Sequence, residues 1–144
     1  MGYKDAVRHR YSIVGQEYLL TTCTQNRNPI FHNFQSARSV VRVMRQLEIQ
    51  NQAIITCWVI MPDHIHLLLQ LKIEKELSGV VALLKVNASK FAGFHIPWQK
   101  GFHERALRNY EDRRTVARYI IMNPVRAGLV RSIRQYPHWD SSFL

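Results

Sequence analysis

The hydrophobic positions of this chain recur every second residue in some stretches and every three to four in others, and the switches between the two periods outline its elements. Glu17 to Thr24, rich in Tyr, Leu and Thr, predicts a β-strand, closed by the turn-forming run Gln25-Asn26-Arg27-Asn28-Pro29. Phe34, Ala37, Val40, Val41, Met44 and Leu47 follow at spacings of three and four and predict an amphipathic helix. Ala53 to Ile60 is almost wholly apolar and β-prone, the pattern of a central strand buried on both faces. Pro62 and Asp63 supply a turn into the next strand. There the alternation is strict: Ile65, Leu67, Leu69 and Leu71 fall on one face, and His64, His66, Leu68 and Gln70 on the other. A second helical pattern runs from about Glu74 to Phe94, until Pro97, Trp98 and Gly101 interrupt it before a short extended segment near Phe102 to Leu107. A third helix is expected from Glu111 or Asp112 to Asn123, with acidic residues in its first turn and a stop or kink imposed by Pro124.

The predicted order is strand, helix, strand, strand, helix, strand, helix. Its first six elements fit a ferredoxin-like α+β sandwich, an antiparallel sheet with two helices on one face. The additional C-terminal helix is then free to pack on the other face. No repeat, low-complexity tract or linker divides the sequence, so residues 1–144 are expected to form a single domain.

Charge narrows the class of partner. Lys and Arg number 20 against 10 Asp and Glu, a formal net charge of +10, and such an excess on a small domain favours a polyanion, most commonly nucleic acid. The excess is local: Arg113, Arg114, Arg118, Arg126, Arg131 and Arg134 lie in a segment without an acidic residue, and Arg38, Arg42 and Arg45 line one side of the first helix. A planar guanidinium can donate two hydrogen bonds to one phosphate. Cys23 and Cys57 are the only cysteines and have no metal-ligand spacing, so neither a disulfide framework nor a zinc ribbon is expected. No apolar run approaches the ~20 residues of a membrane span, and a cytoplasmic, nucleoid-associated protein is the expectation.

The candidate chemistry begins with His64 and His66, which set two imidazoles side by side at the mouth of a turn on a rigid strand, a platform for a metal ion. Such a pair is often merely structural, so its meaning depends on the rest of the chain. On the third helix Tyr119 and Asn123 are four apart and share a side. One carries a nucleophilic oxygen and the other an amide oxygen able to complete a metal shell. In isolation they read more readily as a core-edge tyrosine and a turn-forming asparagine before proline, and the His pair is what draws attention to them.

Three segments in order, Met61 to Leu68, Trp98 to Arg108 and Tyr119 to Val130, resemble the REP-associated tyrosine transposases, which belong with the single-tyrosine HUH transposases of insertion sequences. The resemblance runs from near Tyr18 through Tyr136-Pro137. It implies that His64 and His66 bind a divalent metal, Mg²⁺ or Mn²⁺, with Asn123 as third ligand. It also implies that Tyr119 attacks a phosphodiester of single-stranded DNA near a hairpin, leaving a 5′-phosphotyrosine and a free 3′-hydroxyl. His103 and Glu104 are candidates for an accessory part; Arg105 departs from the family pattern, which often has a second histidine at that position.

The residue types suit that chemistry. A phenol titrates near pH 10 and is a weak nucleophile at neutral pH unless its proton is removed or its oxyanion stabilised. Two imidazoles and an amide oxygen leave coordination positions open, as in catalytic sites, and the covalent intermediate conserves the bond energy, in keeping with the lack of a P-loop pattern. Candidates for contact with DNA are Arg8, Arg10, Arg38, Arg42, Arg114, Arg118 and Arg126, with Tyr3, Tyr11, Trp98, Phe102 and Trp139 available to stack on unpaired bases. The expected partner is a single-stranded DNA hairpin of REP-like palindrome, bound by a monomer or a homodimer. The sequence leaves two alternatives open: a non-catalytic ferredoxin-like nucleic-acid-binding module, and a replication-initiator-like nicking enzyme, which the chain length disfavours.

Overall fold

In a computed structural model describing residues 15–72, 76–108 and 112–143, β1 (Glu17–Cys23), β2 (Ala53–Met61), β3 (His64–Leu71), β4 (His103–Ala106) and β5 (Trp139–Ser141) form one sheet. The order is β4-β1-β3-β2-β5 and every pairing is antiparallel. The first four strands have the ferredoxin-like arrangement expected, and β5 extends it at the β2 edge. The Pro62-Asp63 turn is as tight as predicted, with Met61 directly opposite His64.

Helices α1 (Phe34–Ile49) and α2 (Leu77–Ala92) cover one face. Val40, Met44, Val80 and Leu84 meet Leu20, Ile65, Leu67 and Leu69 there in the larger core. The side chain of Asn33 starts α1 by accepting from the Ser36 backbone N–H at 2.9 Å, and Gly93 ends α2 at φ 83°, a left-handed cap that suits a residue without Cβ.

The opposite face carries α3 (Arg113–Ile121), whose Ala117, Ile120 and Ile121 pack on Cys57, Val59 and Leu68. Burial of alternate β2 residues on both faces is what made Ala53 to Ile60 read as continuously apolar. The Asp112 carboxylate caps α3, and Arg113 ties its first turn to Glu17 of β1 at 2.9 Å.

The C-terminal part differs from expectation. Helix α3 ends at Ile121, Met122 caps it, and Asn123 opens a separate short helix α4 (Asn123–Arg126) with Pro124 in its first turn. Proline lacks an N–H, but the first turn of a helix has no intrahelical use for one, so Pro124 starts the next turn rather than only stopping the last. Strand β5 is too short to show a period. It is fixed by tertiary contacts: the Trp139 Nε1–H donates to the Ile133 carbonyl, and the Tyr136 hydroxyl to the Ile60 carbonyl. Among the described residues no helix is long and apolar enough to cross a membrane.

Candidate active site

Strand register brings His66, Thr21 and His103 into one row. Thr21 of β1 is directly opposite His66 of β3 on one side and His103 of β4 on the other, and directly opposed residues face the same way. Together with His64, Arg27 and Lys100 they line a cleft of about 850 Å³ on the α3 side of the sheet. Glu104, the next residue along β4, is opposite Leu20, which belongs to the core beneath α1 and α2. Of the two accessory candidates, only His103 therefore faces the cleft.

The two imidazoles stand edge to face, their centroids 4.7 Å apart. His64 Nδ1 lies 2.6 Å from Asp63 Oδ1, and the Arg27 Nε–H donates to Asp63 Oδ2 at 2.8 Å. A carboxylate only accepts, so Nδ1 carries a proton, and in the neutral ring Nε2 keeps its lone pair. His66 Nδ1 lies 2.8 Å from Thr21 Oγ1; in the tautomer that donates to this hydroxyl, Nε2 is free in the same way. Each ring is thus anchored through one nitrogen and offers the other, the arrangement in which histidine binds metals. Burial, then the charges of His64, Arg126 and Arg27, lowers the His66 pKa to about 4, so this ring is neutral near pH 7. Burial alone would raise the Asp63 carboxyl, but hydrogen bonds from Arg27 and His64 outweigh it and bring it below the usual carboxylate range.

The loop holding Arg27 is strained: Asn26 and Arg27 have φ of 55° and 54°, in the left-handed region that side chains with Cβ seldom occupy. The strain is sustained by the Arg27–Asp63 pair and by Thr24, whose hydroxyl donates to the Asn28 carbonyl at 2.7 Å.

Tyr119 is 63% exposed on α3 and is not among the residues lining the cleft. Its neighbour Arg126 has a charge that reaches His66. The guanidinium carbon of Arg126 lies 4.1 Å from the Tyr119 ring centroid. The Asn123 side-chain N–H donates to the Ile120 carbonyl at 2.9 Å, which leaves Oδ1 as the open end of the amide. Asn123, like Tyr119, is not among the residues lining the cleft; as a donor set, two imidazole nitrogens and an amide oxygen would suit a divalent cation with sites to spare for phosphate oxygens.

The other candidates are scattered. Arg114 and Arg118 are exposed on α3, while Arg38 and Arg42 are on α1, on the opposite layer, with Arg42 over the Phe91 ring at 4.4 Å. Phe102 packs against the larger core and Trp139 against the smaller one; Trp98 lines the cleft but leans on Phe31, ring centroids 5.6 Å apart. Arg8, Arg10, Tyr3 and Tyr11 lie outside the described residues. Sequence reasoning missed Thr21, Arg27 and Asp63 as supports of the histidines. Adjacency to His64 was a signal for Asp63, whereas Thr21 becomes visible only once strand register is known.

The family described as "Transposase IS200 like" matches residues 12–122. The REP-associated tyrosine transposase of Escherichia coli K12 is 29% identical over 132 residues, covering 89% of this chain and 78% of the relative. A solved structure of a REP-associated tyrosine transposase bound to a REP hairpin superposes with a TM-score of 0.72 at 28% identity, covering 90% of this chain and 78% of that one. A crystal structure from Deinococcus radiodurans, 21% identical with a TM-score of 0.56, covers 75% of this chain and 90% of its own and has the same fold.

Proposed function

This chain belongs to the IS200-like transposase family, and from that premise we propose that it cleaves and rejoins single-stranded DNA beside hairpins, with Tyr119 as nucleophile and His64, His66 and Asn123 as ligands of Mg²⁺ or Mn²⁺. The observation that carries the reading is the anchoring of both histidines through Nδ1, to Asp63 and Thr21, in one cleft, which leaves both Nε2 atoms for a metal. The hairpin is suggested by the related structure that holds one. Exposed Arg114 and Arg118 on α3, with Arg126 on α4, are suited to track the backbone of the strand, and Arg8 and Arg10 complete the basic set.

The Tyr119 oxygen attacks the phosphorus, the bond from phosphorus to the 3′ oxygen breaks, and the strand ends as a 5′-phosphotyrosine and a free 3′-hydroxyl. The phenol gives up its proton and the departing 3′ oxygen gains one. Arg126, over the Tyr119 ring and within electrostatic reach of His66, favours both a developing phenolate and the incoming phosphate. Asp63 and Thr21 hold the rings still, and neutral His66 is ready to ligate without losing a proton. A bound divalent ion supplies charge neutralisation and in-line orientation of the scissile phosphate. Attack of a 3′-hydroxyl on the phosphotyrosine reverses the step, so rejoining requires no ATP.

Purified protein incubated with labelled hairpin oligonucleotides, with and without Mn²⁺ or Mg²⁺, is expected to give a covalent protein–DNA band on a denaturing gel. The band requires metal and disappears in Tyr119→Phe. Tight binding to hairpins with no adduct under either metal would replace this reading with that of a non-catalytic nucleic-acid-binding module.

A further inference from the structure

Of the three imidazoles lining the cleft, His103 alone makes no hydrogen bond or ion pair among the described residues, and it stands on the edge strand β4. We infer that His103 is the proton donor to the departing 3′ oxygen when the strand is cut, and the base that takes the proton back when the 3′-hydroxyl attacks in rejoining. This role deepens the tyrosine transposase reading given above and rests on it.

Placement is the main support. Helix α3, which bears Tyr119, packs on Cys57, Val59 and Leu68 and so lies over β2 and β3. His103 is on β4, beyond β1, and its side chain enters the cleft from the opposite flank, with Thr21 between it and His66. Neighbouring strands are spaced about 4.8 Å apart, which puts about 10 Å between the backbones of β3 and β4. In phosphoryl transfer the attacking and leaving oxygens are roughly in line, on opposite sides of phosphorus. A phosphate over Thr21 that is attacked from the α3 flank therefore turns its departing oxygen toward β4.

The freedom of the ring points the same way. His64 and His66 are each anchored through Nδ1, as suits a metal ligand. His103 has no such anchor and is exposed, so it can exchange its proton with water between turnovers. Its backbone, by contrast, is well held. Lys85 Nζ donates to the Gln99 and Gly101 carbonyls at 3.0 and 2.8 Å, and the Gln99 N–H donates to the Cys23 carbonyl at 2.8 Å. The segment leading into β4 is thus pinned to α2 and β1. Beside the ring a hollow of about 240 Å³ shares Thr21, Lys100 and His103 with the cleft wall, and it gives the released 3′ end a place to lie while the phosphotyrosine persists. Glu104 faces the core and the Arg27 guanidinium does not give up a proton, which leaves His103 and Lys100 as the acids on this flank. Imidazole is the better suited of the two, because it must also act as the base in rejoining.

As the Tyr119 oxygen bonds to phosphorus and the bond to the 3′ oxygen breaks, the imidazolium of His103 gives that oxygen one proton and is left neutral. The phenolic proton passes to solvent. In rejoining, neutral His103 takes the proton of the attacking 3′-hydroxyl, and the tyrosine oxygen leaves and regains a proton.

The test compares two labelled hairpin oligonucleotides in Mn²⁺, one natural and one with sulfur in place of the scissile 3′ oxygen. A thiolate leaves without a proton, whereas an alkoxide needs one. His103→Ala should slow adduct formation on the oxygen substrate roughly 10²- to 10⁴-fold, yet cut the sulfur substrate at close to the native rate. Its hairpin binding in a mobility-shift assay and its Mn²⁺ affinity by calorimetry should match the native protein, since the side chain is exposed and outside the proposed ligand set. Lys100→Ala, which removes a cation from the same flank, should slow both substrates alike. Equal slowing of both substrates in His103→Ala, or no slowing of either, overturns the proton-transfer role and leaves the transposase reading intact. Rescue by sulfur in Lys100→Ala but not in His103→Ala overturns it in favour of the lysine. A native protein that forms no adduct with either substrate overturns both readings.

Discussion

The residues that set up the candidate metal site work mostly through their neighbours. As a proposed ligand, His64 would depend on the carboxylate that fixes its Nδ1, and that carboxylate is held in turn by an arginine on a strained loop. Supports of this kind typically govern metal affinity by ten- to a hundred-fold. Asp63→Ala is accordingly expected to weaken Mn²⁺ binding to the DNA-free protein by that order, measured calorimetrically. Asp63→Asn, which retains an acceptor for the imidazole N–H, should fall between it and the native protein. Equal affinity in all three would show that His64 needs no such support. Of the proposed ligands, the histidine pair was legible in sequence because a period of two exposes both rings together. Tyr119 and Asn123 gained meaning only from the family resemblance, since an exposed tyrosine on an amphipathic helix has ordinary uses.

At the scale of elements, the central point is that the sheet is covered on both faces. Leu68 points away from the neighbouring Leu67 and Leu69 and is fully buried beneath α3, in the smaller core that positions the helix bearing Tyr119. Truncation there removes transfer energy and leaves a cavity, so Leu68→Ala is expected to cost about 3 kcal/mol in urea unfolding. Val86→Ala, at an exposed site on α2, should cost at most about 0.5 kcal/mol. Comparable losses would mean that the α3 layer contributes little to the folded state. The apolar periods predicted the two long helices and the paired strands well. They also predicted α3 and failed at α4 and β5, which are short enough for capping and tertiary hydrogen bonds to decide what local pattern cannot.

For the whole molecule, the net charge of +10 predicts a DNA affinity that falls steeply with salt, because each neutralised phosphate releases counterions. The geometry divides that charge between two layers. Arg118 on exposed α3 is placed to meet a strand running past Tyr119, whereas Arg42 lies over Phe91 on the opposite layer. Arg118→Ala should therefore reduce the slope of log affinity against log salt by roughly 0.7, and Arg42→Ala should leave it unchanged. A reduced slope in Arg42→Ala would mean that the DNA also wraps around the α1 layer.

The sequence by itself determined the ferredoxin-like order of elements, the His64 and His66 platform and the basic character, because each is written in local periods or in composition. Only tertiary structure decided that Thr21 supports His66, that His103 faces the cleft while Glu104 does not, and that Arg126 lies over the Tyr119 ring with its charge bearing on His66. These depend on strand register and on packing between segments distant in the chain, and neither leaves a periodic trace along one strand of sequence.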